Sequence, residues 1–334
     1  MKLPRRQFLQ MAAGAAALPT LTASDAALGQ PQAPRAKRPR VQNAREAVAA
    51  LEKNARGWLG RNPGRAERSR SELAKALSST DAKALNAALY RADDLAFALS
   101  MEGAIKILDG SGDGWKSLGS AIEYFYYATR LAHKRSKAGG YLYQSIESPY
   151  RFALTTLLAV ALGFSERARW LGTELLLHYD AGAVEEYADA EPAAFAYWQT
   201  LIKAFLTGRW PGPDDAGRTL GLYRPLFVES ETPQLEKSLL EACEYHLWKT
   251  GIEGDDNDQL GFDKVYSWAP FDLMPVELLA YFKLRQDMQL QAVSVAHPLL
   301  ATPLVRVPRQ VDLDGDELLV KLSAIEKSAF GVRD

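Results

Sequence analysis

The chain has 334 residues, 47% of them hydrophobic and 24% charged, and its 40 basic and 41 acidic residues leave a formal net charge of -1. That composition excludes a wholly disordered chain, and the near-neutral balance gives no general attraction to nucleic acid or to an anionic membrane. The single cysteine, Cys243, excludes an internal disulfide framework and a cysteine-built metal cluster, so stability has to come from packing.

The first thirty residues read as an address. Lys2, Arg5 and Arg6 form a positive region before a small-residue apolar run, Met11 to Leu21, which is too short to span a bilayer and is broken at Pro19. Arg5-Arg6 followed by Gln7-Phe8-Leu9 resembles the twin-arginine export signal of bacteria. The resemblance implies that the Tat translocase carries the folded protein to the periplasm, with Arg5, Arg6, Phe8 and Leu9 as the targeting residues. Small residues permit cleavage after Ala26 or after Gly29, and the second frame is preferred, leaving Gln30 first. The alternative is a start codon placed too far upstream, which would leave the body in the cytoplasm. Residues 1–29 are therefore assigned as signal, and 30–42, rich in proline and cations, as a flexible tether. Residues 43–334 form the domain. Because the basic excess lies in leader and tether, that domain is more acidic than the whole chain.

From Asn43 the periodicity turns helical and the expected class is all-α. Ala47, Leu51, Ala55 and Trp58 share one face of a first helix, which ends at Asn62-Pro63-Gly64. A second helix covers 66–77, and Ser79 or Thr80 can cap a long third helix bearing Leu85, Leu89, Leu95 and Leu99. After a glycine-rich turn at 109–114, residues 115–137 predict a helix carrying Tyr124, Phe125, Tyr126 and Tyr127 in a row. Four consecutive aromatics cover most of a helix circumference, so they predict either a groove wall or a helix buried on two sides. Residues 151–162 are apolar almost all round and read as a buried central helix, being too short for a membrane span. Further helices begin near Ser165, Pro192, Pro233 and Pro275, where proline suits the first turn. Residues 293–311, punctuated by proline and rich in valine, predict an extended segment, with a short strand pair open as an alternative, before a final helix over 316–330. The whole predicts an irregular multi-helix bundle of antiparallel hairpins with a short extended stretch near the C-terminus, and no fixed repeat period.

Chemistry is less legible. His133, His178, His246 and His297 lie far apart without HExxH spacing, so the pattern implies no metal site and each reads as a surface or helix-end histidine. Three acidic turns fail the spacing of a calcium loop at its closing position. No nucleophile elbow, phosphate loop or dinucleotide fingerprint occurs, and no cofactor is implied. Cys243 sits among Leu239, Leu240 and Leu247 and reads as a buried thiol. The acidic stretch Glu253, Asp255, Asp256 and Asp258 precedes the aromatic residues Tyr266 and Trp268, a combination suited to steering and then holding a basic partner. A solvated connector is the plainer alternative.

The stretch Phe262 to Pro308, with FDKVYSWAPFDLMPVELLAYFKLR followed by AHPLLATPL, resembles C-terminal segments of all-α immunity proteins of bacterial polymorphic-toxin systems. The resemblance covers about a seventh of the chain and implies a helical plug that occludes a toxin without catalysis. The expected function is an exported binding protein of that type, its partner a protein such as a basic toxin domain. The expected partner-binding residues are Glu253, Asp255, Asp256, Asp258, Tyr266, Trp268, Glu277, Arg285 and His297. Glu277 and Arg285, two helical turns apart, predict a surface or inter-helix ion pair. Two rivals remain: a periplasmic helical enzyme acting on cell-wall glycan through a carboxylate such as Glu244 or Glu277, and a non-catalytic helical scaffold.

Overall fold

The structure, a computed structural model, describes residues 43–79, 82–137, 149–180, 191–213, 217–250, 266 and 270–329. The signal and tether, and with them Arg5, Arg6, Phe8 and Leu9, lie outside the described residues. Eleven α-helices and three 3-10 turns make up the described fold, with no strand among the described residues. The strand pair left open near the C-terminus is therefore not formed.

Helix α1 (Ala44–Arg61) starts where Asn43 accepts through Oδ1 from the amides of Arg45 at 3.2 Å and Glu46 at 3.3 Å. It is followed by α2 (Arg65–Leu77), α3 (Ala82–Leu108) and α4 (Asp113–Lys137). The last two pack together along their lengths as a hairpin. They approach closely at Gly103 and Gly114, where a Cβ on Gly103 would stand 2.8 Å from the Gly114 carbonyl oxygen. Only glycine at both positions lets the backbones meet there.

Helix α5 (Pro149–Ala161) is the hub: every residue but Arg151 is buried. It is packed by α6 (Ser165–Asp180) and α10 (Val276–Asp287), with α4 and α7 (Pro192–Thr207) also in contact. Arg151 extends outward to Asp93 at 2.8 Å, its guanidinium over the rings of Phe97 and Phe125. The aromatic run on α4 is a core feature. Tyr124, Phe125, Tyr126 and Tyr127 are all buried, because α3, α5, α6 and α11 (Glu317–Ala329) cover that helix from different sides. The groove-wall alternative does not hold.

The second half of the chain wraps this hub. A 3-10 turn, Arg218–Tyr223, leads into the short α8 (Pro225–Val228) and then α9 (Thr232–Lys249), which has proline in its first turn. After α10 the chain runs extended, interrupted by 3-10 turns at Pro298–Ala301 and Pro303–Val305. The first turn packs on α1 and α9, the second on α3. Asp316 then caps α11, accepting from the Leu318 amide at 3.0 Å, and also bonds Arg70 and Tyr124, each at 2.7 Å. No helix among the described residues is long and apolar enough to cross a membrane.

Candidate functional site

Helix α9 carries Glu244, Tyr245, His246 and Lys249 within about one and a half turns, so successive side chains leave it in different directions. Each of them meets a polar group brought from a distant part of the chain. His246 is fully buried. Its Nδ1 lies 2.7 Å from Glu277 Oε1 at the start of α10, its Nε2 lies 3.0 Å from the Asp272 carbonyl oxygen, and its ring stacks on Tyr266 with centroids 4.2 Å apart.

The carbonyl can only accept, so Nε2 carries a hydrogen. The close Nδ1 to Oε1 contact then requires one further proton, held by the imidazole or by the carboxyl, and the pair is neutral as a unit in either case. Glu277 Oε2 is buried with no hydrogen-bond partner among the described residues. Asp272, at the other end of this contact, is also buried. Loss of hydration pushes its carboxyl up to about 7, against the bond that Oδ1 accepts from the Leu273 amide and the nearby His246.

On the next face, Lys249 makes a buried ion pair with Glu191, the residue immediately before α7, and Tyr245 donates its hydroxyl to the same carboxylate. The Lys249 ammonium also lies 4.3 Å from the centre of the Trp248 ring. On a third face, Glu244 Oε1 lies 3.2 Å from His297 Nε2. His297 Nδ1 accepts from the Leu299 amide at 3.2 Å, which places the hydrogen of a neutral ring on Nε2, pointing at Glu244. Burial lowers the His297 pKa from its ordinary value and Glu244 opposes the shift, so the neutral tautomer suits both contacts.

The sequence-derived residues fall into three groups. Glu253, Asp255, Asp256, Asp258 and Trp268 lie outside the described residues. Tyr266, Glu277 and His297 converge on α9, but as buried members of its polar shell: Tyr266 and Glu277 have 0% exposure and His297 has 7%. Arg285 stays apart. It donates to the Gln291 carbonyl oxygen at 2.8 and 3.2 Å and to the Tyr281 hydroxyl at 3.3 Å, and its guanidinium lies over Trp210. Of the surface or inter-helix pairing expected for these two residues, Glu277 makes an inter-helix contact, to His246, whereas Arg285 closes the turn after α10. The histidines sit at helix ends more than at the surface: His178 and His246 lie in the last turns of α6 and α9, and His297 caps the turn Pro298–Ala301. His133, His246 and His297 each face a carboxylate, and His246 is wholly enclosed.

Glu191, Tyr245, Lys249 and Asp272 were not legible as site residues. The available signal was slight: His246 and Lys249 at i and i+3 on a helix, and a glutamate directly before the helix-starting Pro192. Cys243 is buried, and loss of hydration, reinforced by the charges of Glu277 and Glu244, pushes its thiol pKa well up. That environment keeps sulfur protonated and unreactive. Among the described residues no cluster of three or more His, Cys, Asp or Glu side chains is arranged to hold a metal ion.

Tyr266 is the most informative of the converging residues. Its hydroxyl meets the Tyr223 hydroxyl at 3.1 Å, and its amide donates to the Lys249 carbonyl oxygen at 3.3 Å. Lys249 and Tyr266 are thereby joined to each other and, through Glu191 and Tyr223, to the core. Comparison with known proteins finds no matching family model, no matching curated protein and no matching solved structure.

Proposed function

We propose that this chain is an exported, non-catalytic helical binding protein, an immunity-type inhibitor that occludes a bacterial toxin through the acidic segment between Lys249 and Tyr266. The observation that carries the reading is the Tyr266 amide bond to the Lys249 carbonyl, with a buried polar anchor on each side of it. Lys249 is held by Glu191, and Tyr266 by Tyr223 and the face of His246. Lys249 and Tyr266, which flank Glu253, Asp255, Asp256 and Asp258 in the sequence, are thus both held to a packed scaffold, and recognition residues are commonly carried beside such fixed positions. Fixed ends reduce the ordering cost of binding, and the carboxylates supply attraction for a basic surface.

The glycan-hydrolase rival needs two carboxylates flanking one cleft. Glu277 is instead sealed against His246, and Glu244 is engaged by His297. The test is affinity purification of the tagged full chain from its native host after fractionation. The expected result is a processed periplasmic form carrying one stoichiometric basic protein, lost when the four acids are replaced (E253Q, D255N, D256N, D258N) without change in thermal stability. A processed form without a protein partner, or a partner indifferent to those replacements, overturns the reading. An unprocessed cytoplasmic form overturns export alone.

A further inference from the structure

A groove of about 490 Å3 runs between the outer face of α10, the C-terminal end of α5 and residues 305–309. That volume is in the range of small-molecule sites. Its floor is aliphatic with one aromatic ring: Leu162 and Leu279 are buried, and Phe282, Val305 and Val307 are half-buried. Its rim is cationic. Lys283 is held by Asp287 one turn on, whereas the exposed Arg306 and Arg309 carry no ion pair among the described residues.

We infer that this groove binds a single-chain amphiphilic carboxylate of the fatty-acid class, with the chain on the apolar floor and the carboxylate at Arg306 and Arg309. Neutralisation of Lys283 by Asp287 leaves the two arginines as the uncompensated charge of the rim, which selects an anion. A guanidinium presents paired donors that match a carboxylate. Arg306 closes the 3-10 turn Pro303–Val305 and Arg309 lies at a bend three residues on, and both line this groove. The floor of Leu162, Leu279, Val305 and Val307 around Phe282 suits an alkyl chain. A peptide strand added along residues 306–309 would meet Pro308, which has no amide hydrogen to donate.

The test is calorimetric titration of the full chain with dodecanoate below its micellar concentration, beside dodecyltrimethylammonium and propionate. Dodecanoate is expected to bind, with its affinity reduced about tenfold or more in R306Q/R309Q, since charge-assisted hydrogen bonds are involved. Both arginines are exposed, so the variant is expected to keep the wild-type unfolding midpoint. The cationic amphiphile should bind at least about tenfold more weakly, and propionate, which lacks the chain, should give no heat. The inference is overturned if dodecanoate does not bind, if the ammonium binds equally well, or if the arginine replacements leave the affinity unchanged. An acidic peptide that binds where dodecanoate does not would also overturn it, and would assign the groove to a protein partner.

Discussion

At the residue scale, the decisive feature is a set of ionisable groups buried with their partners. His246 and Glu277 share a proton out of contact with water, and removal of one partner leaves the other stranded. Glu277→Ala should therefore destabilise by about 3–5 kcal/mol in urea denaturation. His246→Phe combined with Glu277→Leu, which removes both polar groups and keeps volume, should cost clearly less; equal losses would show that packing and not pairing is at stake. Asp272 gives a pH signature. Its carboxyl is pushed up from 3.8 to about 7 in the folded state, so between those values the native chain holds a proton that the unfolded chain has released. Stability from this residue is present below pH 3.8 and declines as pH rises through 7. From pH 5 to 8 that loss is about 3 kcal/mol, and Asp272→Asn should abolish it, leaving a flatter stability profile across that range. His297 works in the opposite sense: its lowered pKa contributes stability above its ordinary value that is lost as pH falls through the folded one. A profile of D272N as steep as that of the wild type would show that Asp272 is not the titrating group.

At the element scale, the α3 and α4 hairpin depends on two glycines against the grain of helix propensity. Gly114→Ala would favour an isolated helix by about 1 kcal/mol. Here, however, its Cβ would stand 2.6 Å from Ile107 Cγ1 and 2.8 Å from the Ile107 nitrogen, so net destabilisation of about 1–3 kcal/mol is expected from overpacking. Gly112→Ala, with nothing within 4 Å of its Cβ, is the control and should be nearly silent in the same thermal melt. The same contrast marks what could be read from sequence. Local signals placed α1 through its apolar face and the Asn62-Pro63-Gly64 stop, and α7, α9 and α10 through Pro192, Pro233 and Pro275, and the apolar run after Arg151 identified the hub. The turn Arg218–Tyr223 and the four-residue α8 were missed, because elements that short have no period to detect. Close backbone approach at Gly103 and Gly114 was equally invisible, since it is a property of two helices and neither sequence alone declares it.

At the scale of the whole molecule, function and stability occupy adjoining stretches of one polypeptide but rest on different physics. Tyr266, Glu277 and His297 were legible as notable residues, yet their pairing was not: His246 meets Glu277 across 31 residues and Lys249 meets Glu191 across 58. The proposed recognition segment lies between these long-range anchors. Lys249→Met leaves Glu191 buried with Tyr245 as its only hydrogen-bond donor among the described residues, and should lower stability by about 3–5 kcal/mol. Replacing Glu191 with leucine in the same chain should restore much of it, because the stranded charge is then gone. Neutralising Glu253, Asp255, Asp256 and Asp258 should leave stability unchanged, those carboxylates being attractors for a partner in this reading. Binding kinetics then separate the two contributions. Loss of the acids should slow association about tenfold or more and flatten its salt dependence, whereas loss of the anchor should act on dissociation, since a loosened segment is attracted as well but held less well. If the anchor variant at a temperature where it remains folded releases the captured partner no faster than the wild type, the segment between Lys249 and Tyr266 is not the contact, and recognition belongs to another face of the bundle.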